Sequence, residues 1–149
     1  MKMTTILLSS AVAAFLQTST FADVARLTSQ DHVVAATLIL EAGGEKDYRA
    51  MSAVYEVIHN RAKARKLSTK TVVLQRLQFS CWNEISKRAE VLRKAMRHPK
   101  YQEALKIVRS TVVTNYTNGA THYHATRVNP FWAPKMCKTT AIENHVFYR

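Results

Sequence analysis

Two apolar periodicities at helical spacing, with little to break them, constrain this chain more than any other feature. Val33, Ala36 and Leu40, widened by Val34 and Leu38, mark a helix from about Gln30 to Ala42. Met51, Val54, Tyr55 and Ile58 recur three and four residues apart along a second, from about Tyr48 to Arg65. Gly43-Gly44 stands between them as a helix stop. Only three glycines and three prolines punctuate the 149 residues, and there is no repeat, linker or low-complexity tract. A chain of this length builds one domain with a modest core.

Ser29 and Asp47 are placed to cap the two helices, with Asp31 at the positive end of the first dipole. Arg61, Lys63, Arg65 and Lys66 are expected to face water at the end of the second. Ser68 to Leu77 predicts a short helix, 78–83 a loop, and Glu84 to Arg97 another helix. Pro99 suits the start of a last helix that runs to about Val113. After the Asn118-Gly119 turn, Ala120–Ala125 and His145–Tyr148 are β-prone and predict a small antiparallel ribbon. The expected fold class is mainly α (α+β), a single domain with a β-ribbon near its C-terminus.

The chain opens with Lys2, an apolar stretch from Ile6 to Leu16, and Thr20-Phe21-Ala22. This is the layout of a secretory signal: a positive start, a short apolar segment and a small-residue cleavage site. Cleavage after Ala22 is expected, giving an exported domain of residues 23–149. The stretch falls short of the roughly 20 residues that span a bilayer. Removing it takes one lysine, leaving 21 basic against 10 acidic residues and a net charge of about +11. Such a charge draws a protein to polyanions. Outside the cytoplasm anionic envelope polymers and lipid surfaces are the candidates, between which charge does not choose, and no nucleic-acid partner is expected. In an exported chain the even pair Cys81 and Cys137 suggests a disulfide, the alternative being two free thiols.

Glu41 is the first candidate for chemistry. It ends the first apolar helix and is followed by two glycines that let a substrate approach closely. A carboxylate against an apolar face favours its protonated form, which a general acid requires. On local pattern alone, an ordinary exposed glutamate at a helix end is the better reading, since acids at such ends are common. Glu45, four residues on, is expected to support Glu41. The last 30 or so residues crowd Tyr123, His124, Trp132, His145, Phe147 and Tyr148 together. Their flat faces and polar edges suit sugar rings or an aromatic core. On a strand, His122 and His124 share one face and Tyr123 takes the other. With His145 they also raise a zinc reading, but there is no His-Glu-x-x-His motif, and neither metal nor cofactor is expected. P-loop, dinucleotide and nucleophile-elbow fingerprints are absent.

Five blocks in fixed order complete the pattern: Ala36 to Glu45, carrying Glu41-Ala42-x-Gly44-Glu45; Val54 to Arg61, with Val57, Ile58, Asn60 and Arg61; Gln78-Phe79-Ser80-Cys81-Trp82; Gly119 to His124 with Pro130 and Trp132; and Asn144 to Tyr148. Together they resemble the SleB-type cell-wall hydrolases, the family of spore cortex-lytic enzymes. The resemblance implies a lysozyme-like, lytic-transglycosylase-like domain acting on peptidoglycan; separately, a monomer is expected. It implies that Glu41 is the catalytic acid, cutting between N-acetylmuramic acid and N-acetylglucosamine and leaving a 1,6-anhydro-muramic end. By the same resemblance Glu45, Gln78, Ser80, Trp82, Tyr123, His124, His145 and Tyr148 bind substrate or support the acid. Two departures stand out. Glu143 occupies a place where glycine is common, and Gly43 one where a larger residue is common.

Overall fold

A computed structural model describes residues 29–149. The expected leader, residues 1–22, lies outside the described residues. Helix α1 (Gln30–Ala42) is buried on nearly every side: Val34, Ala35, Ala36 and Leu38 have no exposed surface. A helix apolar all round belongs in the middle of a domain. It packs against α2 (Arg49–Arg65), α3 (Thr69–Leu74), α4 (Arg88–Met96) and α5 (Tyr101–Arg109). Each aliphatic side chain buried there contributes about 1.5–3 kcal/mol. Trp82 seals the same core, its indole Nε1 donating to Thr37 Oγ1 at 2.9 Å. That hydroxyl in turn donates to the Val33 carbonyl at 2.8 Å.

Gly43 follows α1, and glycine is required there for a steric reason. The Gly43 N–H closes the last turn on the Ile39 carbonyl at 2.9 Å, and a Cβ at Gly43 would stand 2.5 Å from that oxygen. Its φ of −64° is ordinary, so the constraint is close approach and not a left-handed backbone.

A three-stranded antiparallel sheet follows, in the order β1 (His122–Ala125), β3 (His145–Tyr148), β2 (Lys138–Ile142). The β1–β3 ribbon was legible; β2, which completes the other edge of β3, was not. Its Lys-Thr-Thr-Ala run carries little apolar alternation, and a bulge between Lys138 and Thr140 disturbs its register. Tyr123 pairs with Phe147 and Ala125 with His145, so these four share one face. Phe147 and His145 are buried on it. His122, His124 and Tyr148 share the opposite face, where Trp132 covers them.

Several element ends differ from expectation. Ser29 occupies the first cap position without a side-chain hydrogen bond. α2 begins at Arg49, one residue late, with Asp47 Oδ1 accepting from the Arg49 N–H at 2.9 Å. α3 stops at Leu74, because Gln75 turns extended and Leu77 takes a φ of +65°. The expected 84–97 helix divides into a 3-10 turn (Ile85–Lys87) and α4. α5 ends at Arg109, four residues before Val113, where Ser110 turns extended and its hydroxyl binds the Val112 backbone.

The expected disulfide is absent: Cys81 and Cys137 are both free. Cys81 lies partly buried against the core, in a 3-10 turn (Ser80–Trp82). Cys137 is exposed, its backbone paired to Arg149 at the Tyr148 end of the sheet. An even cysteine count carries no information about distance, which a bridge requires. Among the described residues, no helix is long and apolar enough to cross a membrane.

Candidate active site

A cleft of about 510 Å³ opens where the C-terminal end of α1 meets the sheet. Its walls include Glu41, Glu45, Gln78, Ser80, Tyr123, His124 and His145, which come from four separate sequence blocks. Leu40, Arg61, Leu77, Ala125, Arg127 and Asn144 complete it. Of the residues singled out from sequence, Trp82 and Tyr148 stand apart. Trp82 is a core residue. Tyr148 lies on the outer sheet face, with its hydroxyl 3.0 Å from His124 Nε2.

Glu41 reaches the cleft because it occupies the last turn of the buried helix, where the core ends. The Tyr123 hydroxyl donates to its Oε2 at 2.8 Å. Burial is the largest influence holding the Tyr123 phenol well above its ordinary value, and the Glu41 charge and this hydrogen bond add to it. Tyr123 therefore stays a proton donor to Glu41 throughout the physiological range. Fixing Oε2 leaves Oε1 as the oxygen able to address a substrate.

Arg61 corrects an expectation. It is 8% exposed, not solvated. Its Nε donates to the Thr121 carbonyl at 2.6 Å and its Nη1 to Gln78 Oε1 at 3.2 Å, with the guanidinium 5.9 Å from the centre of the Phe79 ring. Next to it, Asn60 Nδ2 donates to the Ala120 carbonyl at 2.9 Å. The Asn-Arg pair thus fastens the start of β1 to the end of α2 and places Tyr123 over Glu41. Burial pulls the Arg61 guanidinium below its ordinary value, and nearby Tyr123 and Glu41 push the other way. The signal was present in sequence: Arg61 follows Ile58 by three residues and so shares its buried face.

Glu45 sits beyond the glycines, its side chain 11% exposed. Asn144 Nδ2 donates to both of its oxygens, at 3.2 and 3.0 Å. His145 Nδ1 lies 4.0 Å from Glu45 Oε1, buried and without a hydrogen-bond partner. Burial is the largest influence on His145 and pulls it below its ordinary value of 6.5, while Glu45 and Glu41 oppose the shift. The neutral imidazole stacks edge-on to Tyr123, with ring centres 5.2 Å apart.

The zinc reading fails on topology. His122 and His124 stand on the sheet face that Trp132 covers, while His145 stands on the opposite face with Tyr123 and Phe147. Among the described residues, no group of three or more histidine, cysteine or acidic side chains is arranged to hold a metal ion. Cys81 is no nucleophile either, since burial pushes its thiol up to about 12.

The arrangement offers one carboxylate fixed on one oxygen, a second carboxylate in the same cleft, a buried cation and an aromatic wall. This is a set suited to proton transfer at a bond between sugars. A family model described as Cell Wall Hydrolase matches residues 45–148. The matched segment takes in Glu45, Arg61, Tyr123 and His145, and Glu41 lies four residues ahead of it. No curated protein and no solved structure matches the chain.

Proposed function

This chain belongs to the cell wall hydrolase family, and on that premise we propose that it cleaves peptidoglycan glycan strands between N-acetylmuramic acid and N-acetylglucosamine, with Glu41 as the acid. The observation that carries this reading is the Tyr123–Glu41 hydrogen bond inside the cleft. It fixes the acid's geometry and leaves one oxygen to work.

Glu41 Oε1 gives its proton to the glycosidic oxygen as the bond to the muramic anomeric carbon breaks. The resulting carboxylate then accepts the proton of the muramic 6-hydroxyl, which attacks that carbon. The products are a free 4-hydroxyl on the departing glucosamine and a 1,6-anhydro-muramic end. The acid is restored and no water is consumed, so the SleB-type, lytic-transglycosylase course needs one carboxylate to move protons, and Glu45 is left to face the charge at the anomeric carbon.

Hydrolysis by a muramidase is the second reading, and Glu45 in the same cleft favours it. Water would replace the 6-hydroxyl, with Glu45 as base or nucleophile. The protein acts outside the cytoplasm, where its basic charge draws it to anionic envelope polymers.

Digestion of purified peptidoglycan, read by mass spectrometry beside Glu41→Gln, tests the reading. Anhydro-muramic ends made by the unmutated protein alone support it. Reducing ends move the mechanism to hydrolysis. An absence of fragments, with binding that fades steeply in salt, leaves a wall-binding protein instead.

A further inference from the structure

The turn between β2 and β3 holds Glu143 at a φ of +47°, a left-handed backbone that suits glycine better than glutamate. Its carboxylate reaches back across the molecule. Oε1 accepts from the Lys46 N–H at 2.9 Å and Oε2 from the Asp47 N–H at 2.6 Å. These two backbone hydrogen bonds are the main reason the Glu143 carboxyl lies below its ordinary value. Asn144 continues the grip on both oxygens of Glu45, while His145, the first residue of β3, faces Glu45 from 4.0 Å without a hydrogen bond. The two turn residues thus hold three consecutive residues of the loop after α1. Lys100 Nζ secures the far side of that loop on the Glu45 carbonyl at 2.5 Å.

The loop needs such a grip. Gly44 precedes it with open space where a Cβ would stand, and the loop's own tie at Glu45 is a backbone bond from its N–H to the Ala42 carbonyl at 3.2 Å, which leaves the side chain's direction to its neighbours. Unheld, a carboxylate on a glycine-led loop samples many positions, and catalytic groups lose rate steeply when misplaced by an ångström. We propose that Glu143 is a positioning residue, holding the Glu45–Asp47 loop so that the Glu45 carboxylate stays in the cleft beside Glu41. At this strained position the two-pronged acceptor of Glu143 does what glycine cannot. The inference rests on the reading of this cleft as the site of glycan cleavage. Within that reading, Glu45 supports the positive charge that develops at the anomeric carbon, so its placement governs turnover more than binding.

The test compares the full chain with Glu143→Gly and Glu143→Gln on soluble glycan strands, together with amide hydrogen exchange. Glycine relaxes the left-handed turn, so Glu143→Gly is expected to keep its unfolding midpoint or raise it. Its kcat falls about tenfold while KM stays within about twofold. The Lys46 and Asp47 amides exchange about tenfold faster or more. Glu143→Gln keeps one acceptor oxygen and falls between the two. Unchanged kcat in Glu143→Gly, a rise in KM alone, or unchanged protection at Lys46 and Asp47 overturns the inference. If Glu143→Gly fails to fold, Glu143→Gln decides by the same kcat and exchange criteria. A wild-type protein that releases no fragments overturns the functional reading and this inference with it. Protected amides with undiminished kcat in Glu143→Gly overturn the positioning role alone.

Discussion

The Tyr123 hydroxyl donates to Glu41 Oε2 at 2.8 Å, although 82 residues separate them in the chain. The bond exists because Asn60 and Arg61 fix the start of β1 through the carbonyls of Ala120 and Thr121. Tyr123→Phe keeps the ring packing against His145 and Phe147 and removes this donor alone. Turnover on glycan strands is expected to fall about 10- to 100-fold with little change in KM. The stability loss should be about 1 kcal/mol by urea denaturation. An unchanged kcat would detach Tyr123 from the chemistry.

Glu56 is a buried acid with a structural task. It is 1% exposed, and its oxygens accept from Thr114 Oγ1 at 2.6 Å, Tyr116 N at 2.8 Å, Thr117 N at 2.8 Å and Thr117 Oγ1 at 2.6 Å. It ties α2 to the segment that leads into the sheet. Glu56→Gln turns an amide NH₂ toward donors and should destabilise by about 3 kcal/mol. Activity well below the unfolding midpoint should persist, because Glu56 does not line the cleft. A variant as stable as the parent would show that the network is dispensable.

Stability should depend on pH through two histidines. Burial is the largest cause pulling both His145 and His122 below their ordinary value of 6.5, and Arg61 and Arg65 add to it at His122. Below about 6.5 the unfolded chain takes up protons that the folded chain refuses, so stability falls as pH drops through that value. Above it the contribution is complete and flat. Thermal midpoints should therefore rise between about pH 5 and 7 and then level off. His145→Asn should flatten part of the slope. A slope unchanged in that variant would exclude His145 as its source.

The two thiols should behave differently. Cys137 is exposed and should react promptly with a thiol reagent in the native protein. Cys81, its thiol pushed up to about 12 by burial, should react only on unfolding. Non-reduced protein should show two thiols per chain in denaturant, and reductant should leave the unfolding midpoint in place. A non-reduced protein with no titratable thiol would mean the bridge forms after all.

The periodicities around Val33 and Met51 fixed α1 and α2 to within a residue, because a helix is a local object and its buried face repeats along the chain. The β1–β3 pairing was legible for a similar reason, since both segments alternate and are β-prone. β2 was not, because its Lys-Thr-Thr-Ala run draws its strand character from the neighbouring β3 and not from its own sequence.

Glu41, Glu45 and Tyr123 were legible as residues of interest. What brought them together was not. The burial of Arg61, the closure of the 45–47 loop by Glu143 and Asn144, and the separation of His145 from the other two histidines all depend on which side of the sheet faces α1. The free thiols belong to the same class, since their separation is a distance in space. Local sequence determines where helices run, because that information lies within four residues. Tertiary packing decides which distant side chains share a cleft, because their contacts span up to 99 positions along the chain.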